Sequence, residues 1–293
     1  MTASTLSRSR LARLMTSPAV IWLVVTSLIP LAYTLYDSFR DDRLLEPSGG
    51  FAGLRNYLNF VRNPMFAGAV WHSLIITVGV VATTLALGTA LALILDQPVK
   101  GRSALRLLVI APFVTMPAVS ALVWKNLLMN PIAGVFAAAA RGLGLTPVDW
   151  FGQLPLLSIT IIVAWSWLPF ATLIVLTALQ SLDREQLEAA VLDGAGPLPR
   201  FRYLVLPHLA GPMAVVALVE AIFALAVFAE IYVTTSGGPG DATTNLTFLV
   251  FSQALLRFDI GAASAGGVVA VILANLVALA LGRLAGRAVE PRR

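Results

Sequence analysis

The sequence predicts an all-α membrane protein: a bundle of six transmembrane helices with a helix–turn–helix loop between the fourth and fifth. Three observations carry that prediction. Of the 293 residues, 58% are hydrophobic and 12% charged, with a mean hydropathy of +0.85, whereas a soluble domain is nearer half apolar and a quarter charged. The apolar residues fall in six runs, each meeting the roughly 20 residues, at ~1.5 Å apiece, that a bilayer crossing needs. Basic residues sit as short clusters beside those runs, the pattern that orients membrane proteins. The formal charge of +5 therefore belongs to a membrane surface rather than to nucleic acid. The absence of cysteine excludes disulfides and thiolate metal sites.

The first run covers 18–39. A cleaved signal peptide over 8–32 is the rival reading. The apolar run, however, continues through Leu35 to Phe39 without a small-x-small cleavage site and a polar mature start, so an uncleaved helix is expected. The remaining runs cover 67–95, 105–129, 154–179, 209–235 and 261–285. Pro30, Pro112, Pro117 and Pro169 lie inside them, where neighbouring helices and waters can satisfy the carbonyls a proline frees. Small residues open the last run (Gly261, Ala262, Ala263, Ser264, Gly266, Gly267) and let backbones approach closely.

Orientation follows from the 20 lysines and arginines. With the N-terminus inside, Arg8, Arg10, Arg13, Lys100, Arg102, Arg106, Arg184, Arg200, Arg202, Arg283, Arg287, Arg292 and Arg293 face the cytoplasm. Only Arg40, Arg43, Arg55, Arg62, Lys125, Arg141 and Arg257 face outward. That bias places both termini in the cytoplasm. The outer segment 40–66 is long and holds Pro47, Gly49, Gly50 and Pro64; the outer segment 130–153 is rich in Gly, Ala and Pro.

The inner segment 181–207 is far longer than a link between two spans needs to be. Asp183 with Gln186 three residues later is an N-cap pattern, and Glu185 in the first turn suits the helix dipole. Leu187, Ala190 and Val191 repeat at helical spacing and give a short helix with one apolar face. Gly194 stands where a left-handed residue ends the helix, and Pro197 and Pro199 prevent continuation. A second short helix is expected around 200–206. The product is an elbow suited to docking.

The run Glu188-Ala189-Ala190, two residues, Asp193-Gly194-Ala195, five residues, Phe201 and then Pro207 resembles the EAA motif loop of bacterial ATP-binding-cassette importer permeases. Phe51-Ala-Gly-Leu-Arg-Asn-Tyr57 with Asn63-Pro64-Met-Phe66 is similar to the first outer loop of maltose- and glycerol-phosphate-type permeases. Ser236-Gly-Gly-Pro-Gly240, with Thr243, Thr244 and residues 248–261, resembles the segment after their penultimate helix. The resemblance implies a permease domain over 84–287 containing a coupling loop at 181–207. Residues 1–17 precede it as a cytoplasmic segment, 18–83 as first helix, outer loop and start of the second helix, and 288–293 follow as a tail. The gene product would lie in the bacterial inner membrane.

That family's loop fits a cleft on each ATPase subunit, which implies docking roles for Glu188, Ala189, Ala190, Asp193, Gly194, Ala195, Phe201 and Pro207. Glu188 can pair with a basic group or remain a solvated helix carboxylate. Ala189 and Ala190 are small enough for a cleft and are also simply good helix formers. Gly194 has the least replaceable backbone. The resemblance also implies a second, related permease, two copies of a cytoplasmic ATPase, and an extracytoplasmic solute-binding protein seated on 237–239 and the first outer loop. ATP and Mg would be held by the ATPase and no cofactor by this chain, which lacks a Gly-x-x-x-x-Gly-Lys-Ser/Thr loop. His72 and His208 have no metal spacing, and no Ser/His/Asp motif is present, so no enzyme is expected.

For the path of the cargo, a sugar or polyol by resemblance, two carboxylates in the fifth run stand out, since intramembrane charges are costly and often functional. Glu220 and Phe223, with Trp165, Trp167 and Phe170 in the fourth run, are lining candidates, and Glu230 lies ten residues beyond Glu220. Aromatic faces stack on sugar rings while carboxylates accept hydroxyl protons. The plainer reading is that a glutamate only bonds a neighbouring helix and that the tryptophans anchor helix ends. Two alternatives stay open: a permease for amino acids or peptides, and an ion-coupled carrier using Glu220 and Glu230.

Overall fold

The computed structural model of the chain describes residues 3–46, 49–97 and 101–289. Pro47, Lys100, Arg292 and Arg293, and with them the end of the 288–293 tail, lie outside the described residues.

In chain order, α1 (Ala3–Ser38) carries the first apolar span, and α2 (Arg55–Arg62) follows it. α3 (Phe66–Asp96) is the second span. α4 (Arg102–Ile110) runs through a 3-10 turn (Ala111–Val114) towards α5 (Pro117–Val123), which ends in a π turn (Trp124–Leu128). α6 (Val135–Gly142) and α7 (Trp150–Gln153) precede the long α8 (Pro155–Gln180). α9 (Arg184–Leu192) and α10 (Pro197–Arg200) form the elbow, and a π turn (Phe201–Val205) joins α10 to α11 (Leu206–Leu225). α12 (Ala229–Thr234), α13 (Leu246–Phe251) with a π turn (Ser252–Leu256), and α14 (Ile260–Val289) complete the chain. Among the described residues five helices are long and apolar enough to cross a membrane, or six if one bent pair counts as a span.

Two expectations are refined. The run 105–129 is not one rod: Ala104–Val114 and Pro117–Leu128 meet at 106°. Pro117 has no N–H and its ring bars the preceding residue from helical backbone; Thr115 and Met116 accordingly sit at ψ 132° and 135°. The run 209–235 also breaks, at 226–228, so Glu220 and Glu230 stand on different helices, α11 and α12. Its freed carbonyls have definite partners. Asn245 Nδ2 donates to Val227 O at 2.5 Å and the Thr247 hydroxyl to Leu225 O at 3.1 Å. By contrast, Pro30 and Pro169 stay inside α1 and α8.

The chain divides into two compact units, Met1–Asn63 with Val250–Val269, and Pro64–Leu249 with Ala270–Arg293. In the first, Asn56 Nδ2 bonds the carbonyls of Ser38 (2.9 Å) and Arg40 (2.7 Å), and the Asp42 carbonyl accepts the amides of Ile260 and Gly261 (both 3.0 Å). The small residues at the start of α14 serve close approach here. A Cβ on Gly261 would lie 2.2 Å from the Arg40 carbonyl, and one on Gly266 2.4 Å from the Phe60 ring.

In the second unit α3, α8 and α11 pack face to face. Ile76, Val80 and Ala92 of α3, Ile159, Val163 and Val175 of α8, and Leu209 and Val216 of α11 are fully buried. Gly88 brings α3 against α8 so closely that a Cβ would sit 2.9 Å from that of Ala171. This three-helix core carries the elbow at one end of α11 and the 226–228 break at the other.

Candidate functional site

The elbow begins with Asp183, whose Oδ1 accepts the Glu185 amide at 2.9 Å and so caps α9. α9 ends at Gly194, φ +77°, with the Gly194 and Ala195 amides bonded to the Val191 and Ala190 carbonyls. That conformation is the one a Cβ resists and glycine accepts. Pro197 then occupies the first turn of α10, where its missing N–H costs nothing. The second elbow helix is not a separate piece: Pro197–Leu225 forms one apolar helix that includes α11.

The elbow shows two surfaces. Leu182, Leu187 and Phe201 pack on a buried cluster of Leu95, Val175, Leu176, Leu179, Val205 and Leu209, tying the loop to α3, α8 and α11. Its tip presents Glu188, Ala189, Asp193 and Gly194 to the outside, with Ala190 and Ala195 half-buried and Pro207 exposed. Leu192 (89% exposed) and Leu198 (73%) stand on the same tip; the sequence reading passed over both, although unpaired leucines flanking a left-handed glycine were the available signal. At the loop's neck His208 Nε2 meets the Ala178 carbonyl at 3.0 Å and the Ser181 hydroxyl at 3.1 Å, clasping α11 to the end of α8.

The candidate path residues do not all meet. Trp167 packs on Phe223 (ring centroids 4.9 Å apart) and on Phe170 (5.8 Å), so α8 and α11 share one aromatic face. Phe113 completes it, edge-on to Trp167 at 5.8 Å and stacked on Phe170 at 6.3 Å. Phe113 was missed in the sequence because it comes into place only through the bend at Thr115–Met116. Half of the Phe113 and Phe223 surface remains exposed. Trp165 turns elsewhere, against Trp124 in a cluster with Phe136 and Trp150.

Glu220 is 1% exposed and accepts a hydrogen bond from the Thr84 hydroxyl of α3, while its second carboxyl oxygen has no partner. It joins two helices and does not border the aromatic face as an open group. Glu230 is buried in the first turn of α12. Lys125 Nζ donates to the Val233 carbonyl of α12 at 3.2 Å, and His72 Nδ1 meets the Thr244 carbonyl at 3.0 Å. Thr243, Thr244 and Asn245 are fully buried and bond Thr235, Gly238, Gly237 and Val227, so the segment after the break is a closed polar knot.

Comparison with known proteins agrees with this geometry. Residues 82–293 match the family described as the binding-protein-dependent transport system inner membrane component. A probable ABC transporter permease protein of Sinorhizobium fredii is 38% identical over 85% of this chain and 82% of its own length. The trehalose/maltose transport system permease protein MalF of Thermococcus litoralis is 35% identical over 94% of both chains. The fold is shared with a chain of the bacterial alginate ABC transporter, crystallised with an alginate pentasaccharide-bound periplasmic protein, at a TM-score of 0.82 and 19% identity over 99% of this chain and 98% of that one. The relatives are permease subunits rather than enzymes, as the missing phosphate loop and catalytic motifs led us to expect. With an all-α chain of five to six apolar spans and a match over most of its length, this protein belongs to the family of inner-membrane permeases of binding-protein-dependent ABC transport systems.

Proposed function

We propose that the chain is the membrane-spanning half of an ATP-driven importer that carries a carbohydrate across the cytoplasmic membrane. The observation that carries this reading is the elbow: a capped, glycine-terminated two-helix peg with an exposed tip, rooted in the three-helix core. Glu188, Ala189, Ala190, Asp193, Gly194 and Ala195 present the docking surface to a cytoplasmic ATPase, which binds ATP and Mg. Phe201, packed on the buried cluster, and the exposed Pro207 belong to the same docking loop. Two ATPase copies, a second related permease and an extracytoplasmic solute-binding protein complete the importer, and both termini face the cytoplasm. The relative named for trehalose and maltose, and the aromatic face of Phe113, Trp167, Phe170 and Phe223, favour a sugar or polyol as cargo. An ion-coupled carrier is disfavoured, because the relatives are named as permeases of ABC transporters and of a trehalose/maltose transport system.

The test is mild-detergent purification of the tagged chain from its own host, with mass spectrometry of co-eluting proteins. Recovery of a cytoplasmic ATPase and a second permease, lost on replacing Glu188 and Gly194 together, is expected. Elution alone or as a homodimer, under conditions that preserve other complexes, overturns the reading.

A further inference from the structure

The unit that contains the end of α1 holds a cavity of about 570 Å³ lined by Tyr33, Tyr36, Asp37, Arg40, Asp42, Arg43, Leu44 and Ile260. Its ionic groups fall into two classes. Arg40 is fully engaged: Nε bonds Asp42 at 2.8 Å, Nη1 the Tyr36 hydroxyl at 3.0 Å and Nη2 the Gly49 carbonyl at 2.9 Å, and its guanidinium lies over the Tyr36 ring. Asp42 also accepts the Gly49 amide at 3.0 Å. This pair is wall.

Asp37 and Arg43 are the uncommitted groups. Asp37 is 5% exposed, yet its carboxylate receives no hydrogen bond and makes no ion pair among the described residues. The exposed Arg43 guanidinium likewise has no side-chain partner among them. The cavity reaches Asp37, and a cation or N–H donor that enters it can bond a carboxylate that the protein leaves without a donor. A free guanidinium on the same rim favours an anion.

The surroundings select the ligand. Asp37 stands in the last turn of the apolar span Met15–Ser38, the depth of the membrane–water boundary. Tyr33 and Tyr36 expose their rings there, as interfacial aromatics do. Below them Leu28, Ile29 and Leu31 leave an apolar strip exposed on the same helix. One molecule offers an ammonium and a phosphate on a single headgroup, joined to apolar tails. We propose that this cavity is a binding site for the headgroup of an aminophospholipid, its ammonium on Asp37, its phosphodiester on Arg43 and its acyl chains along α1.

The test uses the assembled importer, delipidated in detergent and titrated with phosphatidylethanolamine or phosphatidylcholine, with bound lipid read by native mass spectrometry. Phosphatidylcholine has the same phosphate and tail, but its quaternary ammonium has no N–H. Wild type is expected to prefer phosphatidylethanolamine by about tenfold, the worth of one charge-assisted hydrogen bond. Asp37→Asn should abolish the preference, and Arg43→Gln should weaken both lipids by a common factor. Soluble glycerophosphoethanolamine at equal concentration should not displace the lipid. Equal binding of both lipids by wild type, a preference that survives Asp37→Asn, or displacement by the soluble headgroup or by trehalose overturns the proposal. Arg43→Gln lies on the rim and alters no internal bond, so it remains informative if Asp37→Asn fails to assemble.

Discussion

The two ends of the helix Pro197–Leu225 are both interruptions of the chain's helical course, and they are built in opposite ways. At the elbow end the chain turns by backbone rules: an aspartate cap, a glycine at φ +77° and a proline in the first turn of the next helix. Its tip is exposed and its polar groups are largely solvated. At the other end no glycine or proline lies in 226–228. The break is held by side chains from about twenty residues onward, the fully buried Asn245 and the half-buried Thr247. A solvated turn can be altered with local cost, whereas a buried knot has no water to replace a lost partner. Stability should therefore reside at the break and coupling at the elbow.

The largest effect should come from Asn245→Leu. It strips the Val227 carbonyl of its donor and the Phe248 amide, bonded to Asn245 Oδ1 at 2.8 Å, of its acceptor. Losing both of these buried hydrogen bonds should cost about 3 kcal/mol, read as a lowered thermal midpoint in detergent. A loss below about 1 kcal/mol would mean that the break is not held this way.

Gly194→Val should cost less, about 1–2 kcal/mol of backbone strain, since a Cβ there meets nothing within 4 Å. Yet it should separate ATP hydrolysis from uptake in reconstituted vesicles. A variant with full uptake breaks the contrast outright.

Phe223→Ala sharpens it from the side of the cargo. Loss of one aromatic face should cost about 1 kcal/mol of binding, a rise of about fivefold in transport KM, with ATPase recovery unchanged. Smallest in stability is Leu198→Ser, within about 0.5 kcal/mol because the side chain is exposed. It should nonetheless reduce the ATPase that co-purifies; a lowered thermal midpoint instead would place Leu198 in the packing.

The same contrast explains what could be read in advance. Asp183, Gly194 and Pro197 act on their own neighbours, so the elbow was legible, and the one surprise was that its second helix continues into α11. The bend at Thr115–Met116 also follows a local rule, but Pro117 was read as tolerated within a span. A break made by Asn245 has no local signature. The site divides likewise. Trp167, Phe170 and Phe223 met as aromatic residues on adjacent runs, while Trp165 was claimed by Trp124 and Phe113 depended on the bend. Glu220 was conspicuous as a charge in an apolar run, but its partner Thr84 lies 136 positions earlier and no spacing announces it.

The continuity of Pro197–Leu225 makes this helix a lever. Its 29 residues span about 43 Å at 1.5 Å each. A tilt of about 5° set at the elbow would sweep the opposite end through about 4 Å, roughly two-thirds of a helix radius with its side chains. Phe223 rides two residues from that end, against Trp167 on a different helix. A modest rotation of the docked peg thus suffices to open or shut the contact between these two rings, without any residue between them changing conformation.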